Sequence, residues 1–190
     1  MEKEDGMRGE VMRKIAITGP ESTGKSVLTK QLADHYNTVW VPEYAREYID
    51  QLGRPYDERD ILEIARGQYK REQDQEEVIR QEPASREYLF CDTEAIVTKI
   101  WSEVKFNRCN PWILKQVELV EYDLYLLCYI DIPWEFDPQR EHPQLREHLF
   151  NLYYEELLER KRTFRVVSGL GRDRLENAIK FIDDSFGKWQ

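Results

Sequence analysis

Cysteine is scarce: the 190 residues hold three, Cys91, Cys109 and Cys128, and no two form a C-x-x-C pair. The spacing of a redox or zinc motif is therefore missing. Cys91 and Cys128 fall inside apolar runs that read as core strands, as reduced, buried thiols of a cytoplasmic protein do. Histidine is equally sparse, and His35, His142 and His148 lack metal-ligand spacing. No run approaches the ~18 consecutive apolar residues of a membrane span, so no membrane partner is expected. The opening MEKEDGMRGEVM is charged and lacks the apolar stretch of a secretory signal. A basic excess is absent too. With 28 Lys plus Arg against 37 Asp plus Glu the net charge is −9, which excludes the profile of a general nucleic-acid binder.

What is present suffices for a core: 41% hydrophobic residues and 12% aromatics accompany 34% charged ones. That apolar share is too high for disorder, and a chain of ~150 residues or more buries about 70% of its unfolded surface without staples. One domain over residues 13–190 is expected, behind a loose tail over residues 1–12.

Short β-branched runs alternate with helical patterns. Strands are predicted at Val11–Thr18, Thr38–Val41, Tyr88–Cys91, Leu124–Ile130 and Phe164–Val167. The fourth, LYLLCYI, reads as a parallel strand buried on both faces. Helices are predicted over 25–36, 43–52, 57–81, from 94, and over 112–120, 144–161 and 172–186, with Pro42, Gly53 and Pro55 as stops. The many charges of the third helix read as a solvated face. Strands alternating with helices imply an α/β fold with a parallel sheet and right-handed crossovers.

Gly19-Pro20-Glu21-Ser22-Thr23-Gly24-Lys25-Ser26 matches G-x-x-x-x-G-K-[ST] in full, between a predicted strand and a predicted helix. A chain of this length meets the pattern by accident in under ~1% of cases. Binding of a nucleoside triphosphate is therefore expected. The glycines let the backbone curl until N–H groups converge on phosphate oxygens, and the helix start after Gly24 adds its positive dipole end. Gly19, Glu21, Ser22, Thr23, Gly24, Lys25, Ser26 and Val27 form the expected ATP cradle. In it Lys25 bridges the β- and γ-phosphates and the Ser26 hydroxyl ligates Mg²⁺. No Asn-Lys-x-Asp guanine reader and no LSGGQ-like signature follows, and the chain is short for motor or ring ATPases. Small-molecule kinases are the main group that remains.

Glu43 follows the second strand in Val41-Pro42-Glu43-Tyr44-Ala45-Arg46, and residues just past the strands' C-terminal ends line the ligand crevice of a doubly wound sheet. A carboxylate there can accept the proton of an attacking hydroxyl. Its plainer reading is a helix-terminal carboxylate that only favours the dipole. Asp92 closes the third strand and looks like the acid that holds Mg²⁺ or its water shell, though it can equally be the base or cap the next helix. The pattern does not separate these roles; metal-side work is favoured for Asp92 and substrate-side work for Glu43. Tyr44, Arg46 and Trp101 complete the candidate substrate-side set. The polar segment from Asp131 carries Arg140 and runs to Arg146, where a lid would deliver a guanidinium to the γ-phosphate. Arg140 is the catalytic candidate; Arg146 reads as readily as a surface charge.

With the phosphate loop, VPEYARE, DTE and the Trp134-to-Arg140 stretch in order, the chain resembles the ribosylnicotinamide kinase domain of NadR-type proteins over roughly Lys14 to Ile182. The resemblance implies a P-loop NTPase fold, a three-layer α/β/α arrangement with a five-stranded parallel sheet ordered 2-3-1-4-5 and a short lid. It also implies MgATP-dependent phosphorylation of the ribose 5′-hydroxyl of nicotinamide riboside, giving nicotinamide mononucleotide. The segment V-P-E also resembles the deoxynucleoside kinases, where the Glu at this place serves as base. Pro42 stands where some relatives place a Trp, and their DTD is DTE here, so the aromatic clamp for a substrate ring is open among Trp40, Tyr44, Trp101 and Tyr122. Bifunctional relatives carry an adenylyltransferase domain ahead of the kinase, and the 190 residues are expected to comprise the kinase unit alone. The alternatives are a kinase for another nucleoside or nucleotide, and a nucleotide-sensing ATPase without small-molecule kinase activity.

Overall fold

Period-2 alternation along the strands builds both faces of one sheet. In the computed structural model, which describes residues 12–81, 87–141 and 143–188, β1 (Arg13–Thr18) lies at the centre. β3 (Tyr88–Asp92) and β4 (Leu124–Cys128) flank it, and β2 (Trp40–Val41) and β5 (Phe164–Val167) form the edges. The order is β2-β3-β1-β4-β5, every pairing is parallel, and Ile15 sits between Phe90 and Leu124. The expected 2-3-1-4-5 order is thus present. The tail expected over 1–12 lies outside the described residues except for Met12, as do Val11 and His142.

Because successive strand side chains point to opposite faces, Ile15, Ile17, Phe90, Leu124 and Leu126 pack on one side. There they meet Leu28 and Leu32 of α1 (Lys25–His35) and Ala178 and Ile182 of α7 (Arg172–Phe186). Ala16, Leu89, Cys91, Tyr125 and Leu127 face the other layer. It is built from Ile79 of α3 (Glu58–Gln81), Ile96 and Ile100 of α4 (Ala95–Phe106), Val117 of α5 (Pro111–Leu119), and Leu149 and Leu157 of α6 (Arg146–Glu159). Each fully buried Leu or Ile contributes about 1.5–3 kcal/mol, and a sheet covered on both faces needs such residues at every strand position. The result is the three-layer P-loop NTPase fold. α2 (Tyr44–Leu52) contributes no buried residue and leans on α3.

Differences from the predicted boundaries have local causes. β2 is two residues, shorter than predicted, because the Thr38 hydroxyl, not a ladder amide, donates to the Tyr88 carbonyl at 2.5 Å. β4 stops at Cys128; two residues past the last ladder contact, Tyr129 N to Val167 O, Asp131 accepts from Gly169 N and from Arg174 instead. α4 starts at Ala95 because Glu94 caps it, its Oε2 accepting from Ile96 N at 2.6 Å. That excludes Asp92 as the cap. Two charges of α3 depart from the solvated face: Asp60 is buried against Arg54 at 2.8 Å and the Tyr48 hydroxyl at 2.9 Å, and Glu72 is buried, with Lys14 at 2.7 Å and the Tyr122 hydroxyl donating to it at 2.7 Å.

Candidate functional site

The turn from β1 into α1 is held open by three left-handed residues, Gly19 (φ 126), Ser22 (φ 57) and Gly24 (φ 75). At Gly19 a Cβ would stand 3.0 Å from the Cys128 carbonyl oxygen, so the end of β4 presses directly on the loop. The Thr23 hydroxyl donates to Pro20 O at 2.7 Å, and the Lys25 ammonium to the same oxygen at 2.8 Å. α1 has no acid in its first turn and no side-chain cap on Gly24, which leaves its positive end to a ligand.

A cavity of about 230 Å³ opens beside this loop. Gly19, Glu21, Ser22, Thr23, Gly24, Lys25, Ser26 and Val27 line one end, so every residue of the expected cradle is present. Glu43 and Arg46 line the adjoining wall; Ile49, Tyr56, Val97, Ile100, Trp101 and Val104 make an apolar pocket beyond them. Glu43 is the residue before α2 but makes no capping hydrogen bond. Its side chain lines the cavity wall.

Asp92 is buried, and neither carboxylate oxygen has a hydrogen-bond partner. Burial, then the charge of Glu43, pushes it up to about 6, while Lys25, Ser26 and Arg46 pull it down. A buried carboxylate left in this state is ready for a cation, and the exposed Ser26 hydroxyl lies in the adjoining cradle. Among the described residues no three His, Cys, Asp or Glu cluster as a metal cage.

The segment after β4 closes over the loop. The Ser22 hydroxyl accepts from Glu135 N at 3.1 Å and from Arg140 Nη1 at 3.3 Å, and Arg140 also donates to Glu135 O. Arg146, at the start of α6, donates to Ser22 O at 3.0 Å and to Ile132 O at 2.8 Å, with its buried Nε unpartnered. Burial and the neighbouring Arg140 lower its pKa. Arg46 pairs with Asp137 at 2.9 Å, and Gln139 donates to Asp50 at 2.6 Å. Glu141 ties the lid to the far wall through the Tyr56 hydroxyl and Lys105, and its amide donates to Glu21.

Of the four candidate aromatics, Trp101 lines the cavity. Trp40 packs against the core, and Tyr122 is buried on Glu72. The Tyr44 ring is directed at α3, where Gly67 receives it and the Arg71 guanidinium lies 4.5 Å from its centroid. Three contributors were not singled out from the sequence: Tyr56, which accepts from Trp101 Nε1 at 3.0 Å, and the lid residues Gln139 and Glu141. Arg146 was visible as a lid-end arginine, but its aim at Ser22 depends on where α6 begins.

Sheet order and loop together define the P-loop NTPase fold. A family model described as an AAA domain matches residues 14–174, and the chain belongs to that family. It is 27% identical over 135 residues to the trifunctional NAD biosynthesis/regulator protein NadR of Salmonella typhimurium (strain LT2). That match covers 68% of this chain and 31% of the relative, so the chain spans about a third of the relative's length. The relationship to NadR-type proteins expected from the motifs is thereby borne out. A solved NadR protein in complex with NR superposes with TM-score 0.75 at 23% identity, over 94% of this chain and 52% of that one. Thymidylate kinase from Ehrlichia chaffeensis follows with TM-score 0.62 at 13% identity, over 92% and 98% of the two chains. At these identities the two structures speak for the fold. No helix of the described residues is long and apolar enough to cross a membrane.

Proposed function

We propose that the protein is an ATP-dependent kinase that phosphorylates the ribose 5′-hydroxyl of nicotinamide riboside to give nicotinamide mononucleotide. The observation that carries this reading is the sharing of one cavity by the phosphate loop, Glu43 and an apolar wall containing Trp101 and Tyr56. A phosphoryl donor on the loop and a hydroxyl-bearing acceptor against the wall would meet at Glu43. The solved NadR protein bound to NR and the relationship to NAD biosynthesis proteins support this choice of acceptor.

In the proposed reaction the acceptor oxygen forms its bond to the γ-phosphorus as the bond from that phosphorus to the β–γ bridging oxygen breaks. Glu43 takes the hydroxyl proton. Lys25 neutralises charge on the transferring group, and Arg140 and Arg146 add guanidinium charge from the lid side. The net charge of −9 makes these local cations necessary, because the chain as a whole repels a polyanion. Ser26 and Asp92 would hold Mg²⁺, which when bound supplies charge neutralisation at the phosphates. Arg46 and Trp101 bound the acceptor; Tyr44 acts from behind, by seating the Glu43 turn. The proposed unit is a single kinase domain over residues 13–190. Three cysteines without a disulfide support a cytoplasmic setting.

The test is incubation with MgATP and a panel of nucleosides, followed by product separation. Nicotinamide mononucleotide as the preferred product supports the reading. A different preferred nucleotide overturns the substrate, and ATP binding without any phosphorylated acceptor overturns the kinase.

A further inference from the structure

Gln68 is a buried polar residue in the apolar stripe of α3, and both ends of its amide are bound to main chain beside the two candidate carboxylates. Its Nε2 donates to the Asp92 carbonyl oxygen at 3.3 Å, and its Oε1 accepts from the Tyr44 amide at 2.8 Å. The two ends cannot exchange places, because a carbonyl requires a donor and an N–H an acceptor. Strand pairing explains the position. β2 and β3 stay in register through Val41 and Cys91, and the residue after β2 is Pro42, which has no N–H with which to extend the ladder. Gln68 spans the place where the ladder ends, tying the residue after Glu43 to the residue that bears the second acid. The adjacent Gly67 admits the Tyr44 ring so closely that a Cβ there would lie 2.0 Å from Tyr44 Cε1. α3 therefore holds Tyr44 by ring and by amide.

We propose that Gln68 is a positioning residue, one that fixes the Glu43 turn against the end of β3 and so sets the placement of Glu43 relative to Asp92. The inference rests on the roles proposed above for those two acids. Misplacing a reacting group by about 1 Å costs on the order of 10²-fold in rate, so a side chain that touches no substrate can still control turnover.

The test uses Gln68→Met, which keeps length and volume and removes both hydrogen bonds, and Gln68→Glu, which keeps an acceptor for Tyr44 but sets an oxygen against the Asp92 carbonyl. Gln81→Met, at the exposed end of the same helix, is the control. The readouts are amide exchange at Tyr44 and in the central strands, and kcat and KM measured separately. Gln68→Met is expected to exchange faster at Tyr44 and to lose kcat roughly 10–100-fold, with KM for ATP within about twofold of wild type. Gln68→Glu is expected to fall between, and Gln81→Met to match wild type. Should Gln68→Met fail to fold, Gln68→Glu carries the same test. Wild-type kcat or unchanged Tyr44 exchange in the Gln68 variants overturns the proposal. So does a loss of protection spread equally over β1, β3 and β4, which would make Gln68 a general stability residue. If wild type phosphorylates no acceptor, or Glu43→Gln retains full turnover, the kinase reading fails instead. Tyr44 exchange then still decides whether Gln68 holds the turn.

Discussion

Arg146 donates through Nη2 to the main-chain oxygen of Ser22 at 3.0 Å, so the first residue of α6 is hydrogen-bonded to the phosphate loop. The contact places a half-buried guanidinium against the phosphate loop, where the proposed transfer would develop charge. Arg146→Ala is expected to lower kcat about 10²–10³-fold, in line with loss of a preorganised charge donor. Arg146→Lys should recover only part of this, because Nη2 of a rigid planar guanidinium makes both contacts and an ammonium on a flexible stem is less preorganised to reach Ser22 and Ile132. Steady-state kinetics on the two variants checks both statements.

Glu94 governs a pH dependence of stability. It is buried, accepts from Thr18 Oγ1 at 2.9 Å and from Ile96 N at 2.6 Å, and burial pushes its pKa up to about 7. The folded chain therefore holds this proton where the unfolded chain has lost it. The associated stability is fully present below about pH 4.5, is lost as pH rises through about 7, and stays absent above. Asp92, raised to about 6, acts in the same direction. In metal-free buffer, Glu94→Gln is expected to flatten this slope and to be more stable than wild type at pH 8 by about 1–3 kcal/mol. Urea melts at a series of pH values measure it.

Gly67 is a steric requirement of the site. Gly67→Ala pushes a Cβ into the Tyr44 ring, and overpacking of this kind costs about 1–3 kcal/mol. Adding Tyr44→Ala should relieve the clash and restore much of the melting temperature. Turnover should stay low, since the Glu43 turn has then lost its ring anchor.

Tyr56 joins the apolar wall of the cavity to the lid, accepting from Trp101 Nε1 at 3.0 Å and donating to Glu141 at 2.9 Å. Tyr56→Phe removes both hydrogen bonds and keeps the ring. It is expected to raise KM for the nucleoside about 5–30-fold with KM for ATP little changed, equivalent to about 1–2 kcal/mol. Competition binding with each substrate separately distinguishes this from a general loss of fold.

Much of this architecture was legible because it obeys short-range rules. Phe164–Val167 and Arg172–Phe186 form the predicted strand and helix with the predicted limits. The phosphate loop was readable because its geometry requires glycine, lysine and hydroxyl at fixed spacing. The parts that were not legible depend on partners remote in sequence. Nothing local marks Tyr56 as the neighbour of Trp101, or Gln68 as the bridge between Tyr44 and Asp92, 24 residues away on either side. Glu94 resembled a variant of a second aspartate, whereas its longer side chain both caps α4 and reaches Thr18 at the base of the phosphate loop.

The central claim is that Glu43 accepts the proton of a nucleoside hydroxyl on its way to the γ-phosphate. The most direct measurement is ³¹P NMR of nicotinamide riboside with MgATP, run with wild type and with Glu43→Gln at equal protein concentration. Growth of a nicotinamide mononucleotide resonance in step with ADP is expected for wild type. For Glu43→Gln the rate should fall about 10²–10⁴-fold, with ATP binding retained. Equal rates in the two proteins, or ATP consumed to ADP and free phosphate with no nucleotide formed, would contradict it.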